Sequence, residues 1–126
     1  MIKSSISKLI FTVLCLTISL SAAELVCLRK VTINVDTGKI HDFTLKEAKS
    51  NPFYLNIKNS DIIFLRLNSG TTYKYEYYKK TSDFKHYNSI ESNTHLREMT
   101  SKKGQWFLDV NSNGEMLSIL LICGAS

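Results

Sequence analysis

Apolar and polar residues alternate through most of the chain after residue 23, which is the pattern of half-buried β-strands. Residues 28–35 alternate in this way, residues 36–39 (Asp-Thr-Gly-Lys) predict a hairpin turn, and residues 40–45 would form the returning strand. Residues 46–50 could form one helical turn, but Pro52 follows closely, so we interpret this segment as a linker.

The middle of the chain holds the most apolar strand candidate. Residues 53–57 predict a short strand, 58–61 a polar turn, and 62–67 (IIFLRL) a central core strand. After the loop 68–72, residues 73–77 alternate without a break and carry three tyrosines on one face. This pattern predicts a second hairpin.

The last third of the chain divides into an aperiodic part and a clear hairpin. Residues 78–103 are polar and lack a period, so we expect a long connection with a weakly helical piece around residues 95–99. Residues 105–110 and 116–123 predict two strands, because an Asn-Gly turn lies between them. About seven short strands with no long helix favour an all-β, immunoglobulin-like β-sandwich.

The first 23 residues are typical of a cleavable secretory signal peptide. Lys3 and Lys8 give a positive start, residues 9–20 are apolar but too short to span a bilayer, and small residues occupy positions 21–23. We therefore expect one domain over residues 24–126, with no membrane anchor, in a secreted, secretory-pathway or periplasmic location. We also expect a monomer.

The cysteines support the same compartment. Removal of the signal takes Cys15 away and leaves Cys27 and Cys123, an even pair where disulfides persist. We predict that they pair, which would stabilise the fold by roughly 4–5 kcal/mol on the chain-entropy model. The alternative is two independently buried thiols.

Charge argues against a nucleic-acid partner. The chain has 16 basic and 11 acidic residues, and the signal carries Lys3 and Lys8, so the net charge after cleavage is +3 (14 minus 11). This is far from the positive stripe that a phosphate backbone requires. The interleaved tyrosines and lysines of residues 73–87 therefore indicate a tyrosine face packed on the core, with glycan or acidic-polymer binding as the alternative.

The sequence offers little for catalysis. His41, His86 and His95 are scattered, so a small secreted nuclease is a weak alternative, and surface histidines are the simpler interpretation. No two of these histidines lie at the short sequence spacing of metal ligands, and the cysteines are far apart, so we predict no metal site. We also expect no cofactor and no enzyme activity.

Two segments carry a resemblance to a known family. Residues 53–77 (FYLNIKNSDIIFLRLNSGTTYKYEY) give a strand, a polar turn, a hydrophobic strand, an Asn-rich loop ending in Thr-Thr-Tyr and an aromatic strand. This resembles the chagasin-like inhibitors of papain-family cysteine peptidases, and residues 104–123 look like a late hairpin of that family. The family's Arg-Pro-aromatic motif is missing, and Ser69 replaces the proline of its loop.

The resemblance implies a non-covalent, substrate-like wedge that enters the peptidase cleft from one end of the sandwich. Such a wedge requires a rigid loop between well-packed strands. The alternative is an ordinary Asn-Ser-Gly turn that reverses the chain. The implied binding residues are Asn68, Ser69, Gly70, Thr71, Thr72 and Tyr73, with Lys103 and Gly104.

The sequence thus predicts a secreted module that binds another protein, with inhibition of a papain-like cysteine peptidase as its most concrete version. The competing prediction is a non-inhibitory interaction protein, such as a host-interaction effector or adhesin that uses its Tyr/Lys surface.

Overall fold

A computed structural model describes residues 23–125 of the chain. The predicted signal peptide falls almost wholly before these residues and stays a prediction. The described part contains nine strands and one short helix. In chain order these are β1 (Ala23–Asn34), β2 (Ile40–Asp42), α1 (Leu45–Ser50), β3 (Phe53–Ile57), β4 (Ile62–Arg66), β5 (Thr72–Lys80), β6 (Phe84–Ser89), β7 (Thr94–Met99), β8 (Gln105–Ser112) and β9 (Glu115–Ala125).

The strands form one antiparallel sheet that closes into a barrel. From β3 to β9 each strand pairs with the next one along the chain, β1 pairs with β3, and β9 returns to pair with β1. Eight strands close the barrel, and β2 is an extra strand on β1. The all-β prediction is confirmed, but the immunoglobulin-like sandwich is not supported, because no break divides these strands into two sheets. Regularly spaced turns favour sandwiches and barrels equally.

Residues 78–103 contain regular structure where the sequence predicted a long connection. β6 and β7 form a hairpin in which Tyr87 lies opposite Leu96, and both side chains are buried. The residues of these two strands that face outward, including His86, His95 and Arg97, are half-buried. The strand pattern is hard to recognise because these polar residues on the outer face outnumber the apolar ones on the inner face.

The interior of the barrel is filled by side chains. Eight strands leave just enough room for one packed core. Trp106, Tyr75, Leu55, Ile63, Leu65, Leu96 and Leu121 are its largest fully buried members, along with Cys27. The predicted disulfide is confirmed: Cys27 and Cys123 lie directly opposite each other on β1 and β9, and their Sγ atoms are bonded. The bond therefore links the two strands whose pairing closes the barrel.

The helix α1 occupies the segment interpreted as a linker, so that interpretation is wrong. Thr44 caps its first turn: the Thr44 hydroxyl accepts from the Glu47 amide at 3.1 Å, and the Glu47 carboxylate accepts from the Thr44 amide at 2.9 Å. This capping box satisfies two amide groups that a helix start leaves free. Ala48 packs α1 onto the barrel. No helix within residues 23–125 is long and apolar enough to cross a membrane.

The up-and-down order sorts the turns between two ends of the barrel. One end, which we call the Trp106 rim, carries the turns at residues 58–61, 81–83 and 100–104. The other, which we call the Asn68 rim, carries the turns at residues 67–71, 90–93 and 113–114. This division determines which candidate residues can act together.

Candidate functional site

The loop implied by the family resemblance lies on the Asn68 rim. The Leu67 amide donates to the Thr71 carbonyl at 2.8 Å, and the Gly70 amide donates to the Leu67 carbonyl at 2.9 Å. Residues 68–72 are exposed, whereas Tyr73 packs against the core at the start of β5. The loop is therefore a short, hydrogen-bonded projection supported by β4 and β5.

The other two predicted residues, Lys103 and Gly104, lie on the Trp106 rim. Lys103 is exposed, and Gly104 has a φ of +85°. A Cβ atom at Gly104 would come within 2.7 Å of the Cys123 carbonyl oxygen, so no larger residue fits without a shift. Because the barrel separates this turn from residues 68–73, the structure does not bring the two predicted segments together in one surface.

Lys103 and Gly104 instead border an open cavity in the mouth of the barrel, which we call the Trp106 cavity. Its volume is about 540 Å³. The mouths of β-barrels are common ligand sites, and apolar pockets with a few polar groups are the usual form. Its lining residues are Leu25, Ile57, Glu98, Lys103, Gly104, Trp106, Cys123, Gly124 and Ala125.

Glu98 is the acidic group of this cavity. It lies directly across from Trp106 in the β7–β8 pair, so its side chain belongs to the inward-facing set. Burial raises the pKa of the Glu98 carboxyl, although the charge of Lys85 acts in the opposite direction. A carboxyl in a cleft whose pKa is raised by burial is a candidate functional group. It can accept a hydrogen bond from a bound group, or donate one when protonated.

A second cavity of about 370 Å³ lies toward the Asn68 rim, and its lining is mostly polar. Asn88, Asn93, His95, Asp109 and Asn111 contribute to it. Several of these groups are already paired with other side chains of the chain. The residues that line this cavity are thus more polar than those of the Trp106 cavity.

The outer wall beside this polar cavity brings two of the scattered histidines together. His86 Nδ1 lies 2.9 Å from His95 Nε2, and His95 Nδ1 lies 2.5 Å from Asn88 Oδ1. Since Asn88 Oδ1 only accepts, His95 Nδ1 carries a proton and its Nε2 accepts from His86 Nδ1–H. His86 Nε2 lies 3.1 Å from the Thr81 hydroxyl, which also donates to the Phe84 carbonyl at 3.3 Å. The contact between the two rings therefore requires His95 to be neutral.

Electrostatics favour the neutral state of both histidine rings. Burial lowers the pKa of His86, with Lys79 and Arg97 acting in the same direction. Burial also lowers the pKa of His95, although Asp109 opposes this effect. Sequence spacing missed the pair because the contact depends on β6–β7 register, in which His86 faces Arg97 and Asn88 faces His95. The histidine pair could have been predicted only by recognising β6 and β7 as a hairpin with this register.

The neighbouring ion pair on the outer wall is structural. Arg97 donates to both carboxylate oxygens of Asp109, at 2.7 and 3.0 Å, and to the Ser118 hydroxyl at 2.9 Å. The guanidinium carbon lies 4.6 Å from the Phe84 ring centre and 4.7 Å from that of Phe107. This bidentate, stacked geometry uses most of the donors of Arg97.

The predicted tyrosine face of β5 is only partly covered by the barrel. Tyr75 is fully buried, its hydroxyl bonds with Thr94 Oγ1 at 2.5 Å, and Tyr73 packs against the core, whereas Tyr77 is 41% exposed. Lys79 and Lys80 are also exposed. Within residues 23–125, no three His, Cys, Asp or Glu side chains are grouped as a metal site.

Comparison with protein-family models, curated proteins and solved structures finds no match.

Proposed function

We propose that this protein is a secreted binding module that holds an apolar side chain of a partner protein in the Trp106 cavity. The observation that carries the proposal is the open, mainly apolar cavity of about 540 Å³ in the barrel mouth, which contains Glu98 and is bordered by Lys103. Protein interfaces gain most of their affinity from a few anchors that fill such pockets.

The packed interior favours a side chain over a whole enclosed ligand. Trp106 and Cys123 line the cavity, and both belong to the cluster of buried side chains that fills the core. A ligand can therefore enter only the mouth, and the rest of a larger partner would rest on the rim. A rigid site of this kind loses little conformational entropy on binding.

The polar groups at the edge would select the partner. Glu98 can accept a hydrogen bond from an indole, amine or backbone N–H, while Lys103 can contact an acidic group beside the anchor. We therefore expect an aromatic or branched aliphatic anchor flanked by polar residues.

The proposal can be tested with peptides selected from a random display library against residues 24–126. Ala125 is exposed and lines the cavity, so Ala125→Trp would fill the site without replacing a core residue. Ile90→Trp is a matched control, because Ile90 is 78% exposed on the opposite rim. We expect Ala125→Trp to weaken binding by at least about tenfold and Ile90→Trp to leave it unchanged. Peptides that bind the Ala125→Trp variant as tightly as wild type would contradict the proposal.

A second candidate function is inhibition of papain-like cysteine peptidases by the loop at residues 68–73. The observation that favours it is the hydrogen-bonded, exposed loop between β4 and β5, because a cleft-entering wedge must be rigid. In this version the loop acts without Lys103 and Gly104, which border the Trp106 cavity on the other rim.

Titration of a papain-type peptidase distinguishes the two candidates. Inhibition that Thr72→Arg abolishes and Ala125→Trp preserves would support the loop, since these residues lie on opposite rims. Absence of inhibition at micromolar protein would remove this candidate and leave the first one intact.

The disulfide supports the proposed location. A bond between Cys27 and Cys123 is typical of an oxidising compartment. Secretion through residues 1–23 is part of the proposal, and the intact mass of the exported protein tests it: cleavage before Glu24 is the expected result, and a retained leader is the contrary one.

A further inference from the structure

A third recess lies on the outer wall of the barrel, where α1 rests beside β1 and β9. This groove has a volume of about 320 Å³ and is separate from both rims. Leu28 and Ile122, which face each other across β1 and β9, lie in it together with Phe43 and Leu45. Two consecutive cations, Arg29 and Lys30, also line it.

The cations reach the groove because β1 is irregular there. The register between β1 and β9 shifts between Arg29 and Val31, so Lys30 is an extra residue in the strand. Such β-bulges redirect side chains that would otherwise alternate between the two faces. As a result, Arg29 and Lys30 line one recess although they are adjacent in sequence.

Arg29 has an unused hydrogen-bond donor. Its Nε atom is buried and finds no hydrogen-bond partner among residues 23–125. Its guanidinium carbon lies 4.4 Å from the centre of the Phe43 ring, and its Nη2 is 3.5 Å from the Glu47 carbonyl oxygen. A buried donor without an acceptor is costly, so an oxyanion that bonded to this Nε–H after a small movement of the Arg29 side chain would remove that cost.

The apolar part of the groove is open to solvent. Leu45 is 63% exposed and Ile122 is 38% exposed. The charged residues of its lining are the two cations Arg29 and Lys30. Outside the lining, α1 carries Lys46, Glu47 and Lys49, and Asp42 directly precedes Phe43. The Glu47 carboxylate is already engaged in the helix cap. The groove thus combines exposed apolar surface with an excess of positive charge.

We propose that this groove binds a single-chain anionic amphiphile, with the oxyanion on Arg29 and Lys30 and the hydrocarbon tail along Leu28, Leu45 and Ile122. Charge complementarity selects an anion, and the apolar lining selects a tail. The single buried donor favours one discrete headgroup over a flat lipid surface.

Titration of residues 24–126 with decanoate below its micellar concentration, followed by residue-resolved amide NMR, tests this proposal. We expect saturable shifts at residues 28–30, 43–48 and 122, and much weaker binding of decanol and of acetate. These two probes remove the charge and the tail in turn. Saturable shifts confined to the Trp106 cavity, or equal binding of decanol, would overturn the proposal.

Exposed positions supply variants that keep the fold. Leu45→Asp and Lys30→Glu should each weaken decanoate binding by at least about tenfold, because one removes apolar contact and the other reverses a charge. Lys58→Glu, an exposed charge reversal in the β3–β4 turn, is the matched control and should bind decanoate as wild type does. Equal losses in Lys58→Glu and Lys30→Glu would show that only net charge matters and would overturn the site.

Vesicles of anionic phosphatidylglycerol separate a free amphiphile from a membrane surface. We expect the protein to bind decanoate and not to bind these vesicles. Vesicle binding without decanoate binding would contradict the proposal and assign the groove to a lipid surface instead.

Discussion

The two rims of the barrel each carry a glycine with positive φ, and the surroundings of these glycines differ. Gly104 on the Trp106 rim has a φ of +85° and lies against the Cys123 carbonyl, whereas Gly70 on the Asn68 rim has a φ of +101° and open space around it. The first rim is thus tightly packed beside the disulfide, and the second is a projecting loop. A cavity needs fixed walls, while a loop needs only a firm base.

Removal of the disulfide should cause the largest loss of stability, and the Trp106 rim should be affected more than the Asn68 rim. The double substitution Cys27→Ser and Cys123→Ser opens a link between residues 96 apart in sequence. We expect a loss of roughly 4–5 kcal/mol in the free energy of unfolding, measured with denaturant. Hydrogen exchange at the amide of residue 123 should accelerate more than exchange at the Gly70 amide. A loss below about 1 kcal/mol would mean that barrel closure does not depend on the bond.

The two glycines themselves give the next largest effect. Gly104→Ala adds both backbone strain and a contact with the Cys123 carbonyl, so we expect a loss of about 3 kcal/mol in the free energy of unfolding. Gly70→Ala adds strain alone and should cost about 1 kcal/mol. Thermal or denaturant unfolding measures both. Equal losses would show that the two rims are packed alike.

Glu98 provides a smaller, pH-dependent test of the Trp106 rim. Because burial raises the pKa of this carboxyl above 4.5, its protonated form favours the folded state. That contribution is complete below pH 4.5 and is lost as the pH rises through the pKa of the folded state. Glu98→Gln should therefore gain stability relative to wild type as the pH rises from 4 to 7. A constant difference between the two proteins across this range would contradict the assignment.

The histidine pair should give the smallest effect, with the opposite sign. The pKa values of His86 and His95 lie below 6.5 in the folded state, so their neutral forms favour folding. This contribution is present above pH 6.5 and is lost as the pH falls through the pKa values of the folded state. His95→Gln should flatten the decline in stability below pH 6.5, and an unchanged slope would show that the pair does not titrate in this way.

The local elements were largely predictable from the sequence. Residues 53–57 match β3, and the Asn113-Gly114 turn joins β8 to β9 with positive φ at both residues, as its residue types require. The terminal cysteines were correctly paired. The capping box at Thr44 and Glu47 was also present in the sequence, and it was the overlooked signal for α1.

The long-range arrangement could not be predicted in this way. The closure of β1 on β9 and the contact between His86 and His95 depend on strand order and register, which alternation alone does not specify. For the same reason, residues 68–73 and Lys103 appeared to belong to one surface although the barrel separates them. The Trp106 cavity emerges only once the barrel is closed.

Amide and indole NMR during titration with a library-selected peptide shows directly whether the Trp106 cavity is the binding site. If the Trp106 cavity is the binding site, the Trp106 indole N–H and the amides of Gly104 and Cys123 will shift in a saturable way, while those of Gly70 and Thr71 stay in place. Saturable shifts confined to residues 68–73, with an unchanged Trp106 indole signal, would contradict binding in the cavity and place the contact on the Asn68 rim.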